Sequence, residues 1–322
     1  MIPERASAPF AARAGTFGPR EHGEGPRDRF PVPRGSGTPD LPRGARPGDD
    51  ATRYDYWKRM EFSPDQWRGL RDHALERGLI FLSTPFSLEA LELLESLDAP
   101  AWKVGSGETT NLPLLERMAS TGRPVLLSTG MASWEEVDAA VATIRPQAPL
   151  AMFQCTTAYP CPAEKIGLNV LAELRDRYGC PVGLSDHSGE IFPSLAAVTL
   201  GASLLEVHLV FSRDCFGPDV RASLTIDSLA ELTRGVRFIE TALANPIDKH
   251  ALAAELAPLK VLFGKSLVAA RDLSPGTALA RSDLALKKPG TGIPAARLGE
   301  LIGRTVKRPI AANALLAEDD LD

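Results

Sequence analysis

Short apolar runs alternate with polar turns and amphipathic segments from about residue 79 to residue 245. Runs of this length, each followed by a segment of helical periodicity, are typical of buried parallel strands that are covered by helices. After the last run, the segment SLTIDSLAELTRGVRFIETALA is expected to form a helix. The pattern therefore predicts six βα units, with strands at 79–86, 101–108, 124–131, 150–160, 181–185 and 204–210.

Six βα units with short loops indicate an α/β fold of the (β/α)8 TIM-barrel type. A doubly wound sheet is the alternative. It is the weaker one because no GxGxxG or GxxxxGK[ST] sequence follows a strand, and because polar residues end all six predicted strands rather than clustering at one switch point. Since a closed barrel has eight units, we expect a barrel that lacks its first two.

The chain changes character at both ends. Residues 1–52 are rich in Pro, Gly and Arg without any period, which predicts a disordered tail. The partial barrel is expected over 53–245, and its first helix is predicted to begin after the N-cap residue Ser63. Residues 246–261 are interpreted as a linker. Short β-rich pieces, turn sequences and one short helix predict a small separate domain over 262–322.

Composition narrows the classes of function. The 322 residues carry a net charge of -5 and no dense basic block in the structured part, which argues against nucleic acid as the main partner. The four cysteines have no metal-type spacing and are interpreted as reduced thiols. No membrane-spanning run or secretory signal is visible, so the cytoplasm is the expected location.

Two of the five histidines lie near the ends of consecutive predicted strands. His187 and His208 are 21 positions apart, about the length of one βα unit, so their imidazoles could converge at the carboxyl edge of the sheet. A single buried histidine is more often a core residue. Two on neighbouring strand ends favour a pair of metal ligands.

Other polar side chains follow the same strands, and together they suit a phosphate or carboxylate ligand. Hydroxyl groups and glycine-flanked loops donate hydrogen bonds, and Lys103, inside an apolar run, supplies positive charge. Pairing of this lysine with Glu108 or Glu206 is the alternative explanation. The candidate positions are Thr84, Lys103, Ser106, Ser128, Thr157, Tyr159, Ser185 and Glu206.

Seven segments in order carry a resemblance to one family: FLSTPF, KVGSGE, LLSTGM, CTTAYP, GLSDHSG, LLEVHLVFSRDCFGPD and KKPGTGIP. The chain resembles the N-acetylneuraminate (sialic acid) synthases, a family that includes legionaminate and pseudaminate synthases, from about Tyr54 to its end. The resemblance implies a (β/α)8 barrel followed by an antifreeze-like (SAF) domain. It also implies condensation of phosphoenolpyruvate with an N-acetylmannosamine-type sugar, with release of phosphate.

The resemblance assigns roles to individual residues. His187 and His208 match the ligands of a divalent metal, Mn²⁺ or Mg²⁺. Lys288 stands where the family often has an arginine that reaches the N-acetyl group of the sugar, and these two side chains are not interchangeable donors. Thr157 stands where the family often has asparagine or serine. Residues matching phosphoenolpyruvate contacts are Thr84, Lys103, Ser106, Ser128 and Ser185, and those matching residues at the sugar and the reacting centre are Tyr159, Glu206 and Asp219.

The chain departs from the family at its front. The family's first strands carry a glutamate in an IAEIGxNHxG-like motif and a lysine in a VKFQ-like motif, and neither motif occurs here. A catalytically inactive truncated homologue that acts as a binding protein is therefore one alternative to the synthase. A metal-dependent aldolase or isomerase on the same barrel is the other. The resemblance also implies a homodimer.

Overall fold

The computed structural model describes residues 58, 60–215 and 217–322. The predicted disordered tail, residues 1–52, lies outside this range. The chain divides into two compact units between Ala244 and Asn245. No helix within the described ranges combines the length and the apolar character needed to cross a membrane.

The first unit contains a parallel sheet of six strands, and each strand pairs with the next one along the chain. This sequential order has no reversal, so it is the order of a barrel and not that of a doubly wound sheet. The strands are β1 (Trp102–Val104), β2 (Val125–Ser128), β3 (Leu150–Cys155), β4 (Val182–Asp186), β5 (Leu204–Val210) and β6 (Ser223–Thr225).

Two helices precede β1, one helix separates each pair of successive strands from β1 to β5, and one follows β6; a single turn of 3-10 helix, Val220–Ala222, lies between β5 and β6. The first begins as predicted, since Ser63 caps it in a capping box with Gln66. The helices of this unit are α1 (Pro64–Glu76), α2 (Leu88–Ser96), α3 (Leu112–Ala119), α4 (Trp134–Ile144), α5 (Val170–Tyr178), α6 (Phe192–Thr199) and α7 (Ile226–Ala244). The prediction of consecutive βα units of a TIM-type barrel is confirmed.

Two individual assignments were wrong. Residues 79–86 were predicted as the first strand, but they form no strand, because no described strand pairs with them and β1 pairs only with β2. Ser223–Thr225 was predicted as the start of a helix, but it pairs with β5 as a strand before α7 begins. The described sheet therefore has six strands, although they are not the six that the pattern predicted.

One face of the sheet carries the apolar core. Side chains along a strand point alternately to the two faces, and the buried residues Trp102, Leu127, Met152 and Leu184 lie on the face that packs against the helices. The opposite face carries most of the polar side chains of the strands, because they occupy the intervening positions.

The second unit has its own core. It begins with α8 (Lys249–Glu255) and α9 (Ala257–Phe263) and continues with an antiparallel pair, β7 (Ser266–Ala269) and β8 (Leu284–Lys287). The short helix α10 (Leu298–Leu301) matches the one that was predicted in this region. Its buried cluster is Leu267, Ala269, Leu273, Leu279, Leu284, Ile293, Leu301, Val306, Ile310, Leu316 and Leu321.

Strands β4 and β5 approach so closely at Gly183 that a Cβ there would lie 2.4 Å from the Leu204 carbonyl oxygen. We expect Gly183→Ala to lower the free energy of unfolding by about 1–3 kcal/mol through overpacking, measured by urea denaturation. Gly69→Ala is the matched control, because no heavy atom lies within 4 Å of that added Cβ and alanine favours the helix α1. Equal stability of the Gly183→Ala protein and the wild type would contradict this close approach.

Candidate functional site

The pairing register of the parallel strands collects polar side chains on one face of the sheet. Cys155 of β3 lies opposite Ser185 of β4, and Ser185 lies opposite Glu206 of β5. Since side chains two positions apart share a face, His187 and His208 continue the same face towards the carboxyl ends of β4 and β5. These strand ends are where (β/α)8 enzymes hold their active sites.

Lys103, Ser128 and Glu206, which we call the lysine cluster, lie in contact on this face. The Lys103 ammonium donates to the Ser128 hydroxyl at 2.7 Å and to the Val104 carbonyl oxygen at 2.9 Å. Its Nζ lies 3.3 Å from Oε2 of Glu206, and the two side chains are only 7% and 9% exposed. Both explanations offered for Lys103 therefore remain, because it pairs with Glu206 and also presents positive charge next to a hydroxyl group.

The loop after β2 adds a second set of donors. The Gly130 amide donates to the Ser106 hydroxyl oxygen at 3.0 Å, and this hydroxyl donates to the Cys155 sulfur at 3.5 Å. A Cβ on Gly130 would lie 2.8 Å from both Ser106 Oγ and Cys155 Sγ, and 3.0 Å from Thr157 Oγ1. The position thus suits glycine, because any side chain would displace these groups. Burial raises the pKa of the Cys155 thiol, so this sulfur is neutral near pH 7.

The two imidazoles lie close together, and we call them the histidine pair. The ring centroids of His187 and His208 are 5.1 Å apart. Tyr159 stacks on His187 with a centroid distance of 4.3 Å and meets His208 edge to face at 5.6 Å. The Tyr159 hydroxyl lies 3.4 Å from Nε2 of His187. An aromatic side chain therefore covers both rings.

Hydrogen bonding fixes the orientation of one imidazole. Nδ1 of His187 lies 3.0 Å from the Thr156 carbonyl oxygen, so Nδ1 carries the proton and Nε2 carries the lone pair in the neutral ring. Nδ1 of His208 lies 3.7 Å from Oδ2 of Asp219. Partners of this kind, a backbone carbonyl and a carboxylate, are the usual second contacts of metal-binding histidines.

The histidine pair fits as two ligands of one ion. Nitrogen ligands lie about 2 Å from a bound transition metal, and rings 5.1 Å apart are close enough for both to reach a shared ion. Among the residues that the structure describes, no group of three or more His, Cys, Asp and Glu side chains forms a metal site. Two imidazoles suit Mn²⁺ better than Mg²⁺, which prefers oxygen ligands.

Three further predicted residues belong neither to the lysine cluster nor to the histidine pair. Thr84 is buried, and its Cγ2 would lie 3.8 Å from a Cβ on Gly105, directly after β1. Thr157 is exposed beside Gly130. Lys288 belongs to the second unit, where its ammonium lies 4.9 Å from the ring centroid of Phe263.

Two residues of the site region were not identified from the sequence. Cys155 was interpreted only as a reduced thiol, but it lies between the hydroxyl groups of Ser106 and Ser185. Asp186 is buried on the core-facing side of β4, and burial raises the pKa of its carboxyl group. Asp186 could have been identified from the sequence, because it is a charged residue at a strand position that alternation assigns to the apolar face.

The sequence matches two families. The NeuB family matches residues 42–248, and the SAF domain family matches residues 264–322. The first match covers more than half of the chain, and the relatives described below cover most of it. The chain belongs to the NeuB family and carries a C-terminal SAF domain, which confirms the resemblance seen in the sequence.

Curated relatives include sialic acid synthases and synthases of related sugars. The chain is 38% identical over 269 residues to human N-acetylneuraminate-9-phosphate synthase, covering 82% of this chain and 74% of that protein. It is 34% identical over 274 residues to N,N'-diacetyllegionaminic acid synthase of Campylobacter jejuni, covering 84% and 81%. The sialic acid synthetase structure from Leptospira borgpetersenii has a TM-score of 0.59 at 29% identity, covering 63% of this chain and 72% of that one.

The ion pair in the lysine cluster allows a prediction about the free energy of unfolding. Lys103→Met would leave the Glu206 carboxylate buried without its ammonium, and we expect a loss of about 3–5 kcal/mol in the free energy of unfolding. Adding Glu206→Gln to Lys103→Met is expected to restore part of this loss, because the buried charge is then removed. Urea denaturation of the wild type, both single variants and the double variant measures the coupling. Additive effects of the two substitutions would show that the pair does not interact.

Proposed function

We propose that this protein is a nonulosonic acid synthase that condenses phosphoenolpyruvate with N-acetylmannosamine or a related N-acyl hexosamine and releases phosphate. Family membership supports the class of enzyme, since relatives are named as synthases of neuraminic, legionaminic and pseudaminic acids. The single observation that carries the proposal is the buried Lys103 ammonium, held on the same sheet face as the histidine pair.

In this proposal phosphoenolpyruvate lies against the lysine cluster. The Lys103 ammonium and the hydroxyl groups of Ser106 and Ser128 supply charge and donors for an anion. Ser185 of β4 lies opposite Glu206 of β5 and is buried on the same face, and Thr84 lies beside β1. Exclusion of water from this face strengthens each of these interactions with the substrate.

The sugar lies towards the histidine pair, beside Tyr159. A divalent ion held by His187 and His208 would polarise the aldehyde of the open-chain sugar as a Lewis acid. The methylene carbon of phosphoenolpyruvate forms the new C–C bond to this aldehyde carbon. Water adds to the former enol carbon, and phosphate leaves by C–O cleavage. Glu206, beside the Lys103 ammonium, or Asp219, beside the His208 ring, accepts the proton that the attacking water loses, and the aldehyde oxygen gains a proton as the C–C bond forms.

Substitution of the histidine pair is the first test of the proposed function. We expect His187→Ala and His208→Ala each to lower phosphate release about 100-fold or more, since Lewis-acid stabilisation is worth several kcal/mol and 1.4 kcal/mol is tenfold in rate. The assay measures phosphate in the presence of Mn²⁺, phosphoenolpyruvate and an N-acyl hexosamine. His73→Ala is the matched control, because His73 lies exposed on α1.

Omitting each substrate distinguishes the alternatives. Phosphate release that requires both phosphoenolpyruvate and the amino sugar supports the synthase. An aldolase or isomerase would act without phosphoenolpyruvate, and an inactive homologue would bind ligands without releasing phosphate. Wild-type rates in both histidine variants would reject the assignment of these residues as metal ligands.

We also propose that Lys288 contacts the N-acyl group of the sugar. The homodimer that the resemblance implies is a further part of the proposed function. We expect Lys288→Met to raise KM for the sugar about tenfold, because a hydrogen bond to a charged group contributes roughly 1.5–3 kcal/mol. KM for phosphoenolpyruvate should not change. Lys287→Met is the matched control, since Lys287 donates to Asn313 within the SAF domain. An equal rise in both KM values would point to a general disturbance of the domain.

A further inference from the structure

Asp186 is a buried carboxylate directly before the proposed metal ligand His187, and the reaction described above does not use it. It is only 4% exposed. Alternation places it on the face of β4 that packs against the helices, where neighbouring strand positions such as Leu184 and Val207 are apolar. A carboxylate at such a position costs free energy unless hydrogen bonds compensate for its desolvation.

Those hydrogen bonds come from the turn that follows β4. Oδ1 of Asp186 accepts from the Ser188 amide at 2.8 Å, and Oδ2 accepts from the Ser188 hydroxyl at 3.1 Å. The Ser188 oxygen in turn accepts from the Glu190 amide at 3.0 Å. Asp186 and Ser188 therefore hold residues 186–190 in a turn, and His187 lies within this turn.

The same turn packs against the segment that follows β5. Gly189 has a φ of 75°, and a Cβ there would lie 2.5 Å from the Arg221 carbonyl oxygen. Arg213 donates to the Gly189 carbonyl oxygen at 2.9 Å. Two residues after Arg221, Ser223 pairs with His208 in the sheet. The turn is thus seated against the chain that adjoins the second histidine.

The backbone and ring of His187 are also tied to the loop after β3. Its carbonyl oxygen accepts from the Cys161 amide at 2.9 Å, and its ring donates to the Thr156 carbonyl oxygen at 3.0 Å. A shift of the turn by a few tenths of an ångström would therefore change the ring's hydrogen bond and its separation from His208. This makes the orientation of His187 sensitive to the side chain that holds the turn.

We propose that Asp186 is a positioning residue that holds the His187 ring in the orientation in which it faces His208. It touches neither substrate nor the reacting atoms. A carboxylate that served stability alone would change the free energy of unfolding without changing the tautomer or the metal affinity of the ring. These two properties therefore separate positioning from stabilisation. The metal readout depends on the proposed function, whereas the tautomer readout needs no metal.

The first experiment measures Mn²⁺ affinity of the full chain by electron paramagnetic resonance. Loss of partners that orient metal-binding histidines usually lowers metal affinity 10–100-fold, and we expect a loss of roughly this size for Asp186→Ala. Asp186→Asn keeps an acceptor for the Ser188 amide and should remain within about threefold of the wild type. Asp283→Ala is the matched control, because Asp283 is also buried and also accepts from a backbone amide, in the SAF domain.

The second experiment records long-range ¹⁵N–¹H correlations of the His187 ring in the metal-free protein. The wild type and Asp186→Asn are expected to show one tautomer with the proton on Nδ1, and Asp186→Ala a mixture of both. Should Asp186→Ala fail to fold, Asp186→Leu fills the apolar position without any acceptor and takes its place. A single Nδ1 tautomer and unchanged Mn²⁺ affinity in the variant without an acceptor would overturn the proposal. A mixed tautomer in a protein whose wild type binds no Mn²⁺ would reject the metal site and leave the positioning role of Asp186 supported.

Discussion

The constraint on which the site depends is the register of the parallel strands. Because side chains alternate between the two faces, an in-register pairing places Cys155, Ser185 and Glu206 in one row and His187 and His208 beyond it. A slip of one residue in β4 or β5 would turn these polar groups into the apolar layer beneath the helices. Burial of that layer, which includes Trp102 and Met152, therefore maintains the chemistry of the opposite face.

The polar face has two parts that differ in charge, the lysine cluster and the histidine pair. The lysine cluster concentrates charge in a region from which water is largely excluded, and a buried ion pair of this kind contributes little net stability because desolvation offsets attraction. The histidine pair lies nearer the strand ends, where Tyr159 covers both rings. The ammonium of Lys103, on β1, and the imidazole nitrogens at the ends of β4 and β5 thus lie on the same face of a single sheet.

The strand assignments show where local pattern succeeds and where it fails. Apolar runs correctly indicated β1 to β5, because each was long enough to be buried and was followed by a helical period. The run 79–86 has the same appearance, but it pairs with no described strand, since β1 pairs only with β2. The three residues of β6 were too few to be distinguished from the helix that follows them, and only pairing with β5 makes them a strand. Strand formation depends on a neighbour, which a single run does not reveal.

The sequence by itself was enough to predict the class of fold, the family and the pairing of His187 with His208. The fold class and the histidine pair follow from spacing along the chain, and the family follows from motifs in a set order. Only the tertiary structure decided which partner Lys103 takes, that Cys155 lies between two hydroxyl groups, and that Asp186 holds the turn around His187. The first two contacts join residues from different strands. The third involves a charged side chain on the face of the sheet where an apolar one is expected. Their distances depend on strand register and burial, which are properties of the folded chain and not of any segment of it.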